Sequence, residues 1–246
     1  MHSKFIVVDD EHFYLGSANF DWRSISHKME LGVVVSNCPC LGKDLGRVFS
    51  SYWALTELDN GAHDAPMDCA RILNIVDRAE NRLYVHVMDY LPKMVYQEPQ
   101  RFWPAIDDAI RRAVVDRGVE KILRVPVVTQ FQKTIARERR THKKFVVSES
   151  AVFIGTSNLI GDHFYDDTGV ALVVRQGGPS HNRTFVQDVR ELFLRDWHSD
   201  YAYPLETFVK LCLDGGDSTF LCEIPPTVDE KSRLIRRPTG GQRLEA

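Results

Sequence analysis

The sequence predicts an α/β protein made of two copies of one unit. Three observations predict it: an internal repeat, short β-branched and aromatic runs, and apolar residues recurring at helical spacing between those runs. His2-Ser3-Lys4-Phe5-Ile6-Val7-Val8-Asp9 is followed by Phe13-Tyr14-Leu15-Gly16-Ser17-Ala18-Asn19. The pattern returns at His142-Lys143-Lys144-Phe145-Val146-Val147-Ser148-Glu149, followed by Val152-Phe153-Ile154-Gly155-Thr156-Ser157-Asn158. Both copies read His-x-Lys-(x)4-acid, an apolar run, then Gly-Ser/Thr-x-Asn, the second one residue shorter between its parts. A repeat at this spacing means two domain-sized units and not a solenoid.

Phe5 to Val8 reads as a buried strand paired with the apolar run after it, and Leu31 to Val35 adds a third strand. Leu41, Leu45, Val48, Phe49, Tyr52 and Trp53 fall on one face of a helix. The polar stretch Glu57 to Pro66 marks the boundary between copies. A helix from Met67 to Glu80 leads into a strand at Leu83 to Met88, and Ile106, Ala109, Ile110, Ala113 and Val114 predict another helix. Phe145 to Val147 and Val170 to Val174 repeat the strands, and Phe185, Val189, Leu192, Phe193 and Trp197 predict a closing helix. Beyond Thr227, Lys231, Arg233, Arg236 and Arg237 predict a basic, solvated tail. The expected domains are 1–60, the C-terminal part of a first lobe; 61–226, a second lobe; and 227–246, the tail. Copy two has about 75 residues of helix and strand before His142, whereas Met1 alone precedes His2. The first lobe is therefore expected to be incomplete, and the stretch from Gly118 to Thr141 short for a strand-helix-strand passage.

Composition narrows the function. The 246 residues are 43% hydrophobic and 26% charged, with net charge −3, so disorder, collagen and coiled coil are excluded as overall descriptions. No global positive field draws the chain to nucleic acid, and any phosphate site must be local. No apolar run approaches the roughly 18–20 residues of a membrane span. Five cysteines without a Cys-x-x-Cys pair argue against structural zinc. They read either as buried thiols or as cysteines whose partners lie outside this sequence. Asn182-Arg183-Thr184 is a glycosylation triplet.

The doubled His-x-Lys motif resembles the phospholipase D superfamily, in which two such motifs face each other across a pseudo-twofold. Residues 13–24 (FYLGSANFDWRS), 88–92 (MDYLP), 101–112 (RFWPAIDDAIRR) and 193–197 (FLRDW) are similar to its lysosomal branch, phospholipase D isoforms three and four. Glu149 in place of a second aspartate is typical of that branch. The resemblance implies a two-lobed α-β-α sandwich with a pseudo-twofold repeat. It also implies 5′ trimming of single-stranded DNA or RNA, and a lysosomal or endoplasmic-reticulum lumen location for which the chain itself carries no address. The expected partners are a phosphodiester substrate and a second copy of the chain.

Phosphodiester cleavage needs a nucleophile, an acid for the leaving oxygen, and positive charge near the phosphoryl oxygens. The expected motif set is His2, Lys4 and Asp9 with His142, Lys144 and Glu149. One histidine attacks to give a phosphohistidine while the other protonates the leaving group and then activates water. Lys4 and Lys144 lie two residues on, on the same strand face as the histidines, whereas Asp9 and Glu149 point to the opposite face and suit a structural role. Ser17, Asn19, Thr156 and Asn158 are expected to donate to phosphate. No metal or other cofactor is expected. By resemblance, an acid beyond each Gly-Ser/Thr-x-Asn segment orients a histidine: Glu30 in copy one, Asp166 in copy two with Asp167 second.

Other readings stay open. The same motifs fit a phospholipid hydrolase or transphosphatidylase, and the missing front of lobe one fits an inactive fragment or a pseudoenzyme. Trp22, Tyr90, Phe102, Trp103 and Phe164 fit either base stacking or core packing. Arg111-Arg112 and Arg137 to Arg140 fit either a nucleic-acid track or a solvated helix face. His12, His27, His63, His86, His163, His181 and His198 are scattered and read as surface or structural.

Overall fold

The computed structural model describes residues 2–55, 67–119, 124–126, 141–176, 183–199 and 202–204. The expected boundary at 57–66, the tail at 227–246, most of 118–141 and Asn182 lie outside them. The elements of copy one are β1 (Phe5–Val8), β2 (His12–Gly16), α1 (Trp22–Ser26), β3 (Gly32–Val35) and α2 (Pro39–Leu55). Next come α3 (Met67–Arg78), β4 (Tyr84–His86), β5 (Tyr90–Leu91), β6 (Lys93–Met94), β7 (Arg101–Phe102), α4 (Ala105–Arg117) and β8 (Arg124–Pro126). The chain continues through β9 (Phe145–Val147), β10 (Ala151–Gly155), β11 (Leu159–Ile160), α5 (Asp162–Tyr165), β12 (Ala171–Arg175), α6 (Phe185–Trp197) and β13 (Ala202–Pro204).

The repeat is visible in the sheets. Copy one forms an antiparallel sheet in the order β1-β2-β3, and copy two an antiparallel sheet in the order β12-β10-β9-β4. Thus β1, β2 and β3 correspond to β9, β10 and β12, while β4 has no counterpart among the described residues. By contacts the chain divides into two compact units. One is Met1–Lys121 with Thr141–Arg195, and it holds both sheets and both motifs. The other is Ile122–Arg140 with Asp196–Ala246, whose described strands β8 and β13 pair antiparallel.

Helical spacing places the cover. Ile72, Ile75 and Val76 of α3 and Ile106, Ala109 and Ala113 of α4 pack with Val146 and Phe153 as the main core. The other side of that sheet carries Phe145, whose ring meets Phe193 of α6 edge-on at 6.3 Å. Copy one has its α6 counterpart in α2, whose Leu45, Val48 and Tyr52 pack with Phe5, Val7, Phe13 and Leu15. Its opposite face shows Ile6, Val8 and Val34 at 49%, 48% and 73% exposure. Helix α4 stops where Gly118 takes φ +70°, a left-handed turn that its missing Cβ allows.

Ile72 is fully buried at the centre of the main core. Ile72→Ala is expected to cost about 2–5 kcal/mol in denaturant unfolding, whereas Ile25→Ser, on a side chain 80% exposed, stays within about 0.5 kcal/mol.

Candidate active site

Each motif histidine is held by the opposite copy. His142 N–H donates to Met29 O at 2.9 Å, and His2 N–H donates to Thr168 O at 3.0 Å. Met29 and Thr168 are equivalent positions, which the strand ends establish. Ser17 N–H donates to Leu31 O at 2.9 Å, and Thr156 N–H to Val170 O at 3.1 Å. The hydroxyls complete the match: Ser17 Oγ accepts from Leu31 N–H at 3.0 Å and Thr156 Oγ1 from Val170 N–H at 3.1 Å. Gly16 lies opposite Gly32 in the register. A Cβ on Gly16 would come within 2.5 Å of the Gly32 Cα, so this pairing requires glycine.

The lysines repeat the symmetry. Lys144 Nζ donates to His142 O at 2.7 Å, and Lys4 Nζ donates to His2 O. Both side chains are buried, at 1% and 7% exposure. Among the described residues neither ammonium has a carboxylate within ion-pair distance. Burial pushes Lys144 down to about 7, with Glu30 opposing and Lys4 adding to the shift. Burial likewise lowers Lys4 to about 8, against the pull of Asp167 and Glu30. Two cations desolvated together make a pocket of positive potential that an anion would relieve.

The carboxylates break the symmetry and correct one expectation. Glu30 was assigned to the histidine of its own copy, but it holds His142, at 2.8 and 2.9 Å from Nδ1 to its two oxygens. The reason is topological: residue 30 leads into β3, whose end faces the other sheet. Ser17 Oγ donates to Glu30 at 2.5 Å. Burial alone would raise the Glu30 carboxyl, but the hydrogen bonds from His142 and Ser17 outweigh it and hold it below its ordinary value. Asp166 does not orient a histidine. It ends α5 in an exposed position and accepts from Gln97 Nε2 at 3.3 Å. The position equivalent to Glu30 in copy two is Gly169, whose carbonyl accepts from Tyr52 Oη at 3.0 Å.

His2 therefore has different surroundings. Its Nδ1 is buried with no hydrogen-bond partner among the described residues. Burial, then the charges of Lys4, His163 and Lys144, push its imidazole down to about 3 against Asp167. His163, read from sequence as one of several scattered histidines, packs on His2 with ring centroids 4.4 Å apart. Its one mark in the sequence is position: His163 is the fifth residue beyond Asn158, as Ser24 is beyond Asn19.

The remaining expected residues divide. Ser17 and Thr156 are fully buried, and both hydroxyls accept from a strand end; Ser17 Oγ spends its proton on Glu30. Asn158 Nδ2 donates to Asp89 at 2.8 Å, leaving its buried Oδ1 without a partner. Asn19 is half-buried, and its N–H donates to Ser24 Oγ at 3.2 Å. Asp9 lies exposed in the β1–β2 turn at φ 55°. Six residues of largely extended chain, a span of roughly 23 Å, separate it from His2. Glu149 holds a loop, accepting from Asn81 N–H at 2.8 Å and from Arg82 N–H. Neither acid joins the cluster. Of the five aromatics, Trp22 and Phe102 are exposed, Trp103 stacks on buried Phe164 at 5.4 Å, and Tyr90 donates to Asp107.

A model of the PLD-like domain of PLD3 and PLD4 matches residues 1–64 and 60–136. The chain belongs to this phospholipase D-like family. The human 5′-3′ exonuclease PLD3 is 34% identical over 283 aligned positions, spanning 84% of this chain and 57% of the relative. The Xenopus laevis 5′-3′ exonuclease PLD3 is 33% identical over the same shares, and the human 5′-3′ exonuclease PLD4 is 31% identical over 84% and 56%. This member of the family thus spans little more than half the length of the curated relatives it matches. A phospholipase D family member from Salmonella typhimurium, Nuc, superposes with a TM-score of 0.36 at 16% identity, over 55% of this chain and 88% of its own.

Lys144 gives this PLD3/4-like site a pH signature. Its folded value lies near 7, below the ordinary 10.5. Between these values the unfolded chain binds a proton that the folded one has released, so stability rises with pH across that window. Lys144→Met removes the buried charge and is expected to raise the melting temperature at pH 6 by roughly 2–8 °C. The advantage should shrink toward pH 10. A variant no more stable than wild type at pH 6 would contradict the assignment.

Proposed function

We propose that this chain carries a two-histidine phosphodiesterase site acting on single-stranded DNA or RNA from the 5′ end, in an acidic lysosomal compartment. The observation that carries the reading is the convergence of His2, His142 and two buried lysines that, among the described residues, have no carboxylate in ion-pair distance. A phosphodiester anion would supply the charge that those lysines lack.

In this reading His2, kept neutral by burial and by the cations around it, attacks phosphorus. A P–N bond forms while the bond to the leaving oxygen breaks, and His142 delivers its proton to that oxygen. Glu30 on Nδ1 fixes the orientation of His142 and stabilises its cationic form, leaving Nε2 to face the substrate. His142 then takes a proton from water, whose oxygen displaces His2 from phosphorus. Lys4 and Lys144 bind the non-bridging oxygens throughout. An acidic compartment suits this division, because a histidine with a value near 3 stays neutral at pH 5. The relatives named as 5′-3′ exonucleases support nucleic acid over lipid as the substrate.

The test is release of mononucleotides from a 5′-hydroxyl single-stranded oligonucleotide at pH about 5 in chelator. His2→Ala and His142→Ala are each expected to lose at least ~1000-fold in turnover. Activity surviving in either variant, or turnover of phospholipid vesicles but not oligonucleotide, would overturn the proposal.

A further inference from the structure

We infer that His163 is the positioning residue of His2, standing where copy one uses a serine and a carboxylate to position His142. The inference deepens the proposed function, since it rests on His2 and His142 being the reacting pair.

The two copies can be compared atom by atom at this point. In copy one the Asn19 N–H donates to Ser24 Oγ at 3.2 Å; in copy two the Asn158 N–H donates to His163 Nδ1 at 2.9 Å. His163 and Ser24 are thus equivalent, five residues beyond equivalent asparagines. Ser24 helps hold the Glu30 carboxyl below its ordinary value, and Glu30 in turn holds His142. In copy two the carboxylate is absent, because its position is Gly169. The larger imidazole of His163 reaches further than a serine could and packs directly against the His2 ring, tilted by 37°.

Its own hydrogen bonds fix how it does this. Because Nδ1 accepts from Asn158, the proton of neutral His163 sits on Nε2. That nitrogen faces Tyr96 Oη at 3.3 Å and Asp167 Oδ2 at 3.8 Å. His163 therefore offers His2 a ring face and no acceptor, whereas Glu30 offers His142 an acceptor. The charged and titratable groups acting on His2 are Lys4, His163, Lys144 and Asp167. The His163 ring covers one flank of His2 and excludes water from it, which disfavours the imidazolium. The outcome is chemical inequality between two motif histidines that the sequence repeat makes look alike.

His163→Ser separates positioning from simple capping. By the internal equivalence, serine can still accept the Asn158 N–H, so a capping role survives the change while the ring against His2 is lost. With ¹³C-labelled histidine, NMR titration of His2 in wild type is expected to show no midpoint between pH 5 and 8. In His163→Ser the midpoint should move up, toward the free value. Turnover of oligonucleotide should fall by ~10- to 100-fold with KM little changed. His163→Phe, which restores a ring, should return His2 to its wild-type titration. An unchanged His2 titration in His163→Ser would overturn the inference. The NMR result stands even if the wild-type chain turns over no oligonucleotide, so failure of the proposed activity remains distinguishable from failure of this assignment.

Discussion

The site depends on an exchange of backbone hydrogen bonds between the two copies. Each histidine N–H is held by a carbonyl across the pseudo-twofold, Met29 O for His142 and Thr168 O for His2. Neither copy could place its own histidine alone. The ends of β2 and β3, and of β10 and β12, must therefore sit at a fixed height against the opposing strand. Ser17 and Thr156 secure those ends with hydroxyls that never meet solvent. Gly16 allows the tight pairing that places Ser17, and Tyr52 fixes the carbonyl of Gly169 from the far side.

On this frame the electrostatics oppose stability. Two lysines enter the interior with no carboxylate in ion-pair distance among the described residues, and a histidine is kept far below its ordinary titration range. Each is a cost that the fold carries, the usual relation between a preorganised site and a less than maximally stable protein. The two halves differ in how they manage their histidine. Copy one uses a half-buried carboxylate held by the Ser17 hydroxyl; copy two has glycine at the carboxylate position and an imidazole in place of a serine. Starting from one repeated motif, this gives two histidines in unlike surroundings.

Much of this was legible in the sequence, and what escaped did so for a physical reason. Strands β1, β9 and β12 and helices α2, α4 and α6 follow from residue spacing, because periodicity is local information. Lys4 and Lys144 beside their histidines follow from strand alternation. The partner of Glu30 does not, since a contact between copies leaves no mark on the spacing within either. Reading Glu30 and Asp166 as equivalent acids failed because equivalence is set by the Leu31 and Val170 bonds at the strand ends, which put Gly169 opposite Glu30. His163 was invisible for a related reason: its importance lies in what its counterpart, Ser24, is not.

The central claim is that Glu30 serves the histidine of the other copy. A double-mutant cycle on unfolding free energy tests it most directly, using Glu30→Gln with His142→Gln and, in parallel, Glu30→Gln with His2→Gln. The account predicts a coupling of about 1–3 kcal/mol for the first pair and less than about 0.5 kcal/mol for the second. Strong coupling to His2 together with additivity at His142 would contradict it, and would place the carboxylate within its own copy.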